Sequence, residues 1–408
     1  MSQPIRILLA LVLGLVGGIV VANAGGAAIG IAIAQPVGTA WLNALQMTVI
    51  PLVVSLLVTG VASTAEAASA GRLAARTIVG ALVLLTVDAI VAAVATPLIL
   101  AAAPIPTGAA AALRAALAGV PVPAKAPPVG ELFAAIIPTN VFAAASGGAL
   151  LSLIVFTLVF AFALSRIEAG ARERLVQLFA AIRDTMLVVV GWVLWLAPAG
   201  VFSLAFLVGA KAGSAAFGAL IHYMAVICAV GLVVVAVAYL VALGGRAGIG
   251  RFARAVLPAQ VFAVSTQSSL ATLPAMLKAV GEAGVPATAS GVTLPLGVAM
   301  FRATQPAMNL AIALYIGRWF GVEVSVAAIA SAILVGVVTS LGSISLPSQI
   351  TFFASVVPIA SALGVPLTPL GLLIAVETIP DIIRTLGNVT SNLALTVVAT
   401  RDQKEAAS

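Results

Sequence analysis

Apolar residues dominate the chain in long blocks, and polar side chains gather in a few places between and within them. Six blocks carry few charged residues and are each about as long as, or longer than, the roughly 20 residues that a membrane-spanning helix needs. These blocks are residues 5–23, 38–63, 77–103, 133–165, 175–209 and 217–243. The pattern predicts an all-α polytopic membrane protein.

The pattern changes after residue 243. The stretches 255–285 and 325–365 are apolar, but hydroxyls, Gly or Pro interrupt each of them midway, in STQSSLATLP and in TSLGSISLPSQ. Half of either stretch is too short to cross a bilayer as a helix. Non-helical backbone at membrane depth is tolerated only where it is buried in protein or lines a watery cavity. We therefore predict two re-entrant helical hairpins whose polar tips line a cavity.

A helix with polar residues follows each predicted hairpin, which suggests an internal duplication. In the first of these helices Arg302, Gln305 and Asn309 recur at i, i+3 and i+7, and Pro306 removes a backbone donor in mid-span. The sequence thus predicts a kinked or unwound stretch that exposes carbonyls and half-helix ends to a ligand. Paired broken segments typically mark the midplane site of a transporter. A packing kink with a satisfied polar patch is the alternative.

The second polar helix contains DIIRTLGNVTSNL, residues 381–393. At about 100° per residue its polar members form one stripe, about 16 Å long, on one helical face. The stripe consists of Asp381, Arg384, Thr385, Asn388 and Asn392. Charged side chains are costly in a membrane, so we expect the stripe to face the bundle interior as a functional site. The alternative is a set of ion pairs that only tie helices together.

Glu377 lies one turn before this stripe. Because it is close to the expected helix end, water could solvate it there, and a structural role is as reasonable as a functional one. Arg302 on the preceding polar helix has the same two interpretations, a structural role and a functional one.

The composition agrees with a membrane protein, since 62% of the 408 residues are hydrophobic and 8% are charged. The net charge of +7 does not indicate nucleic acid, because no basic run is longer than RER at 172–174. With a cytoplasmic N-terminus, the positive-inside rule is obeyed. The inside loops hold Arg72, Arg76, Arg166, Arg172, Arg174, Arg246, Arg251 and Arg254, and the outside loops hold only Arg114, Lys125 and Lys211.

Enzymatic and metal chemistry find little support. The single Cys228 excludes a disulfide framework, and no CxxC or Cys/His cluster predicts a metal or redox centre. An intramembrane hydrolase would need a base near Ser265, Ser268 or Ser269, but Lys278 lies about two turns or more beyond them. His222 stands among apolar neighbours. We expect no enzyme, no cofactor and no metal site.

Segments along almost the whole chain resemble the dicarboxylate/amino acid:cation symporter family, the glutamate transporters and their bacterial relatives. The segments are LQMTVIPLVVSLLVTGVAS, IIPTNVFAAASGGALLSLIVFTLVFAFAL, DTMLVVVGWVLWLAPAGVFSL, the two hairpins and RTLGNVTSNLALTVVA. The resemblance implies eight transmembrane helices plus two re-entrant hairpins, assembled as a homotrimer in the inner membrane with both termini cytoplasmic. It also implies an elevator mechanism, in which one domain slides against a fixed scaffold.

The implied domains follow the chain in order. Residues 1–76 are scaffold helices 1 and 2, 77–104 are helix 3 of the transport domain, and 105–210 are scaffold helices 4 and 5. Residues 211–400 complete the transport domain, and 401–408 form a cytoplasmic tail.

The resemblance also assigns roles to residues of the site. Arg384 is similar to the residue that pairs with the distal carboxylate of an acidic substrate, and Asp381 to the one that holds its amino group. An arginine fork binds carboxylates bidentately, which agrees with that role. The neighbours that complete the pocket are Thr385 and Asn388, with Ser268 and Ser269 at the first tip and Ser343 and Ser345 at the second. Gly342 and Pro347 belong to the second tip, which acts as the outer gate.

The chain departs from the family pattern at the positions that bind coupling cations. Phe301, Arg302 and Ala303 stand in FRATQ, where the family usually reads Asn-Met-Asp-Gly-Thr, and Gln305 ends that motif. Asn392 stands where sodium-coupled members usually carry a second cation-binding Asp. Sodium needs oxygen ligands, and a site without carboxylates beside a guanidinium is a poor one. These departures predict sodium-independent transport.

The expected function is therefore transport of a small anionic substrate, an acidic amino acid or a C4-dicarboxylate, by exchange or with a proton on Asp381 or Glu377. A conventional cation-coupled dicarboxylate symporter is the alternative. An anion channel is the other alternative, but an acid and an arginine at i, i+3 resemble a zwitterion clamp more than a conduction filter.

Overall fold

The computed structural model describes residues 3–69, 71–106, 108, 137–245, 247–341 and 348–402, and this part of the chain is helical, without strands. The helices are α1 Gln3–Asn23, α2 Ala27–Ser69, α3 Arg72–Ala102, α4 Val141–Ser146, α5 Leu150–Leu164, α6 Ala169–Trp195, α7 Ala197–Ala212, α8 Ala215–Ala242, α9 Ile249–Thr266, α10 Ser269–Glu282, α11 Ala287–Met300, α12 Thr304–Phe320, α13 Val326–Leu341, α14 Ser348–Ala362, α15 Leu370–Leu373 and α16 Thr378–Ala399. Six of them, α1, α2, α3, α6, α8 and α16, are long and apolar enough to cross a membrane.

The predicted spans at 5–23, 77–103 and 217–243 match α1, α3 and α8 within a few residues. The span at 38–63 is wrong in length, because α2 continues through Pro36 and reaches 43 residues. The span at 175–209 is wrong in continuity, because Pro198 lies in the first turn of a new helix, α7. The total of eight spans stays a prediction.

The span at 133–165 is also interrupted. Within its described part α4 ends at Ser146, and Gly148 adopts a left-handed φ of +71° before α5 begins. A residue without a Cβ adopts that conformation at little cost, so the Gly147-Gly148 pair permits the break.

In the first predicted hairpin the helix is interrupted at the position predicted for the tip. α9 and α10 pack against each other, and Gln267 between them has a φ of +51°, the only positive φ at a non-glycine residue in the described segments. Ser268 then caps α10, accepting a hydrogen bond from the backbone N–H of Ala271 at 3.2 Å. The break is confirmed, whereas its re-entrant position in a membrane stays a prediction.

The second hairpin has two packed arms, α13 and α14. Its predicted tip, with Gly342, Ser343, Ser345 and Pro347, lies at residues 342–347, outside the described residues.

The unwound stretch predicted in the first polar helix lies at residues 301–303, between α11 and α12. Phe301 has extended backbone, with φ −130° and ψ 116°. Pro306 was expected to cause the break, but it lies in the first turn of α12, where its missing N–H leaves no carbonyl unpaired. Arg302 precedes α12, so its predicted place on one helical face with Gln305 and Asn309 is wrong.

The last helix, α16, lies inside the bundle and packs against α3, α8, α9, α10, α11 and α12. The predicted polar stripe is buried, with no member more than 8% exposed. Ile382, Ile383 and Leu386 on the other face are partly exposed. The expectation that the stripe faces inward is confirmed.

Close helix packing elsewhere depends on glycine. α1 lies against α7, and a Cβ built on Gly209 of α7 would overlap the backbone carbonyl of Leu15 in α1. Small residues let the backbones of membrane helices approach closely, since packing rather than the hydrophobic effect holds them together there.

We expect Gly209→Ala to destabilise the protein, because the added methyl meets rigid backbone. Overpacking of this kind typically costs about 1–3 kcal/mol. Thermal unfolding of the detergent-purified protein measures it, with Gly191→Ala on α6 as control, since nothing lies within 4 Å of a Cβ at Gly191. Equal melting temperatures for the two variants would contradict the proposed close contact.

Candidate functional site

Arg384 of α16 is the centre of a buried polar network. Its Nη2 lies 2.5 Å from Oε1 of Glu377, and its Nη1 donates a hydrogen bond of 3.0 Å to Oδ1 of Asn309 on α12. Its Nε lies 3.9 Å from Oδ1 of Asp381, one turn earlier on the same helix. The guanidinium therefore has two acidic neighbours and one amide.

Glu377 is a full member of this network. It precedes the first residue of α16, is only 2% exposed, and accepts a hydrogen bond of 3.3 Å from the hydroxyl of Tyr223 on α8. The possibility that water solvates Glu377 is therefore wrong, because α8 covers the start of α16. Tyr223 went unnoticed in the sequence, where a lone tyrosine in an apolar helix carries no signal.

The amide of Asn309 extends the network to the second hairpin. Its Nδ2 donates to Oγ of Ser355 on α14 at 2.7 Å, while its Oδ1 accepts from Arg384. Asn309 was predicted from its spacing, but Ser355 was not, because it lies in the apolar arm rather than in the polar tip. The hydrogen bonds thus connect α8, α12, α14 and α16 around one guanidinium.

Asn388 and Thr304 fix the start of α12. Oδ1 of Asn388 accepts hydrogen bonds from the backbone N–H of Thr304 at 3.0 Å and from its hydroxyl at 2.9 Å. The same hydroxyl lies 3.2 Å from the backbone carbonyl of Arg384. The amide of Asn388 acts as a cap for a helix that has no capping side chain of its own. These hydrogen bonds therefore join the start of α12 to the polar stripe on α16.

Asn392 donates hydrogen bonds to backbone carbonyls near the break between α11 and α12. Its Nδ2 donates to the backbone oxygens of Asn388 at 2.9 Å and of Phe301 at 3.4 Å. Its Oδ1 packs onto the backbone of α11 at Gly297, where any Cβ would overlap it. Ala303 is fully buried and supplies no side-chain oxygen. The side chains beside these carbonyls are thus the N–H donor of Asn392 and the methyl group of Ala303, whereas a bound cation would need oxygen ligands there.

Arg302 brings a second positive charge to this region. Both the opposite charge of Asp381 and the like charge of Arg384 act on it. When all four groups are ionised, Arg302 and Arg384 balance Glu377 and Asp381. A dicarboxylate that enters the network brings excess negative charge, whereas the ammonium of an amino acid offsets part of that charge.

Four further predicted site residues lie in the described part of the chain: Thr385, Gln305, Ser268 and Ser269. The hydroxyl of Thr385 donates to the carbonyl of Asp381 at 3.0 Å. Gln305 is 3% exposed within α12, and Ser268 and Ser269 are half-buried at the first hairpin tip. The structure therefore brings together Arg384, Asp381 and Asn388 with Glu377 and Asn309, while the serines contribute no described bond to them.

Hydrolytic and metal sites are not assembled in the described segments. The hydroxyl of Ser265 donates to the carbonyl of Val261, and Lys278 lies 4.0 Å from Glu282 on its own helix. No group of three His, Cys, Asp or Glu side chains able to hold a metal occurs among the residues that were described.

The sequence profile of the sodium:dicarboxylate symporter family matches residues 4–402. The chain is 27% identical to the proton/glutamate-aspartate symporter of Escherichia coli strain K12, over 91% of this chain and 85% of the relative. It is 29% identical to the proton/sodium-glutamate symport protein of Bacillus subtilis strain 168, over 90% and 85%. It is 25% identical to the C4-dicarboxylate transport protein of Rhizobium johnstonii, over 91% and 83%.

The buried pair predicts strongly coupled stability effects. Glu377→Gln leaves the charge of Arg384 less compensated, and Arg384→Met leaves that of Glu377 uncompensated. Breaking a buried pair from one side typically costs about 3–5 kcal/mol. The double variant should lose clearly less than the sum of the two single losses, because it buries neither charge.

Thermal unfolding of the wild type, both single variants and the double variant measures this coupling. Arg183→Met is the control, since its partner Asp184 is mostly exposed and surface pairs contribute little. Additive losses in the double variant would show that Glu377 and Arg384 do not act as a pair.

Proposed function

The chain belongs to the sodium:dicarboxylate symporter family, and on that premise we propose that it transports acidic amino acids or C4-dicarboxylates across the inner membrane. The family consists of secondary transporters, so the protein is not an enzyme. Its long apolar helices mark it as an integral membrane protein. The proposed substrate class agrees with the glutamate, aspartate and C4-dicarboxylates in the names of the relatives.

The proposal rests on one observation: Arg384 is buried, and some of its guanidinium N–H groups take part in no described hydrogen bond. A guanidinium has five N–H donors, and Glu377 and Asn309 accept from two of them. A substrate carboxylate can accept from the others, while Glu377 and Asn309 hold the fork in a fixed orientation. Since this orientation exists before the substrate arrives, binding requires little reorganisation.

Asp381 favours an amino acid over a dicarboxylate. Its carboxylate lies beside the guanidinium, at the spacing of a group that receives an ammonium while Arg384 receives a carboxylate. A dicarboxylate has no positive charge to offer Asp381, so its second carboxylate would meet a like charge. Glutamate and aspartate are therefore the substrates we propose first.

The proposed mechanism is an elevator in a homotrimer. The groups of the network come from α8, α12, α14 and α16, all of which lie within the proposed transport domain at 211–400. A site contained in one body can move with it, because no hydrogen bond described for the network has to break when that body slides against the scaffold.

We further propose that transport does not depend on sodium. Asn392 donates to the carbonyls beside the helix break, Ala303 offers no oxygen, and Arg302 already supplies positive charge there. A fixed charge cannot be released with the substrate, so it cannot transmit an ion gradient. Uptake is then exchange-like or is coupled to protons.

The function is tested with purified protein in liposomes, by uptake of labelled aspartate, glutamate and succinate against unlabelled competitors. We expect saturable uptake of at least one acidic substrate and none of leucine. Currents through single channels without saturable uptake would instead support the channel alternative, and absence of all transport and binding would reject the proposal.

Asp381→Ser should separate the two substrate classes. Amino acid affinity should fall by tenfold or more, because an ammonium without its partner typically costs about 2–5 kcal/mol, whereas dicarboxylate affinity should hold or improve. Isothermal titration with aspartate and succinate measures both. Asp184→Ser, which alters an exposed acid on α6, is the control. Equal weakening of both ligands would make Asp381 structural.

Substrate affinity should be the same in sodium, potassium and choline salts. Arg302→Met should lower it in all three salts, because the site then lacks a positive charge for the anionic substrate. The control is Arg318→Met, at the exposed end of α12. A steep rise in wild-type affinity with sodium concentration would contradict the proposal and favour the conventional cation-coupled symporter.

A further inference from the structure

Asp88, in the middle of α3, is a buried acid outside the Arg384 network. It is 0% exposed, and neither Oδ1 nor Oδ2 has a hydrogen-bond partner among the described residues. Among the described residues the other two buried acids, Glu377 and Asp381, both lie near Arg384. Asp88 therefore differs from them in having no described group that compensates a negative charge.

The position of Asp88 along α3 is beside the helix break. Leu84 and Leu85, one turn earlier on the same face, pack in one cluster with Phe301 and Ala303. Ala92, one turn later, is fully buried in the cluster that contains the interior of α12. Since i and i+4 share a helical face, Asp88 faces the region where α12 begins.

The surroundings favour a proton over a metal ion. The neighbours of Asp88 along its own helix, Leu84, Leu85, Ala89 and Ala92, are apolar and buried. A sodium ion needs several oxygen ligands, and none of these neighbouring side chains supplies one. An unpaired carboxylate anion is very unfavourable there, but a neutral carboxylic acid costs far less. Binding one proton is thus the chemistry that this position supports.

The titratable groups on the elements packed against α3 do not compensate Asp88. The charged ones are Glu66 on α2, Arg302 before α12, Arg318 on α12, and Glu377, Asp381 and Arg384 at α16, with Arg72 and Arg76 on α3 itself. The neutral ones are His222, Tyr223, Cys228 and Tyr239 on α8 and Tyr315 on α12. None of them hydrogen-bonds either oxygen of Asp88. His222 bonds the carbonyl of Ala103, about 22 Å further along α3.

We propose that Asp88 is the proton-binding residue that couples substrate transport to the proton gradient. This inference rests on the proposed function, since it names the coupling site of that transporter. Glu377 and Asp381 are poorer choices, because the guanidinium of Arg384 lies 2.5 Å from the first and 3.9 Å from the second, whereas Asp88 has no described partner.

The step is a proton transfer without redox chemistry. On one side of the membrane a hydronium ion gives its proton to a carboxylate oxygen of Asp88 and leaves water, and on the other side water takes the proton back. Protonation removes a negative charge next to the break, so an anionic substrate binds more tightly. By linkage, bound substrate favours protonation to the same degree.

The test uses liposomes that contain the wild type, Asp88→Asn, or Asp184→Asn as the matched exposed control. For the wild type and Asp184→Asn we expect an inward proton gradient to accelerate labelled aspartate uptake, with proton entry seen by a trapped pH dye. In Asp88→Asn, the acceleration by the gradient and the proton entry should each fall about tenfold or more, which corresponds to a typical coupling energy. Aspartate exchange, which needs no proton gradient, should continue. Asp88→Ala replaces it if the amide variant does not fold.

A second readout does not need transport. A neutral carboxyl without a hydrogen bond gives its own infrared C=O band, which the wild type should show at neutral pH and Asp88→Asn should lack. Coupled uptake that persists in Asp88→Asn, or a band that survives in it, would overturn the inference and leave the proposed function intact. A band specific to Asp88 without transport of any acidic substrate would overturn the proposed function, and with it the coupling role, while proton binding at Asp88 would stand.

Discussion

The charge of Arg384 has to be compensated away from water, and the rest of the site follows from that constraint. A guanidinium at 8% exposure is tolerable only with acceptors around it, and this chain provides Glu377, Asp381 and Asn309. Two of these acceptors are fixed in turn, Glu377 by Tyr223 and Asn309 by Ser355. Because these side chains come from α8, α12, α14 and α16, compensating this one guanidinium connects four helices.

The second organising feature is the interruption between α11 and α12. An unwound stretch leaves backbone groups without helical partners, and burial requires that they find others. Asn388 accepts from the first N–H of α12, and Asn392 donates to the carbonyl of Phe301. Two amides on α16 therefore supply hydrogen-bond partners for backbone groups at the break beside Arg302.

Fixed and exchangeable charges are separated in this protein. Arg302 and Arg384 are permanent, and the two acids beside them are compensated, so a gradient of ions has little to act on at the network itself. Asp88 stands apart on α3, next to the same break but without a described partner. In the proposed transporter, permanent charges of the protein recognise the substrate, and a separate group that gains and loses a proton provides the energy coupling.

The sequence alone determined the helical membrane class, the break at the first hairpin tip, the inward stripe on α16 and the family, because hydropathy and helical period are local properties that survive without contacts. Tertiary structure decided what the polar residues bind. Glu377 was placed near solvent by its position in the chain, yet α8 buries it against Arg384. Tyr223, Ser355, Thr304 and Asp88 had no signal, since a single polar residue in an apolar run acquires meaning only from the side chains that folding brings to it.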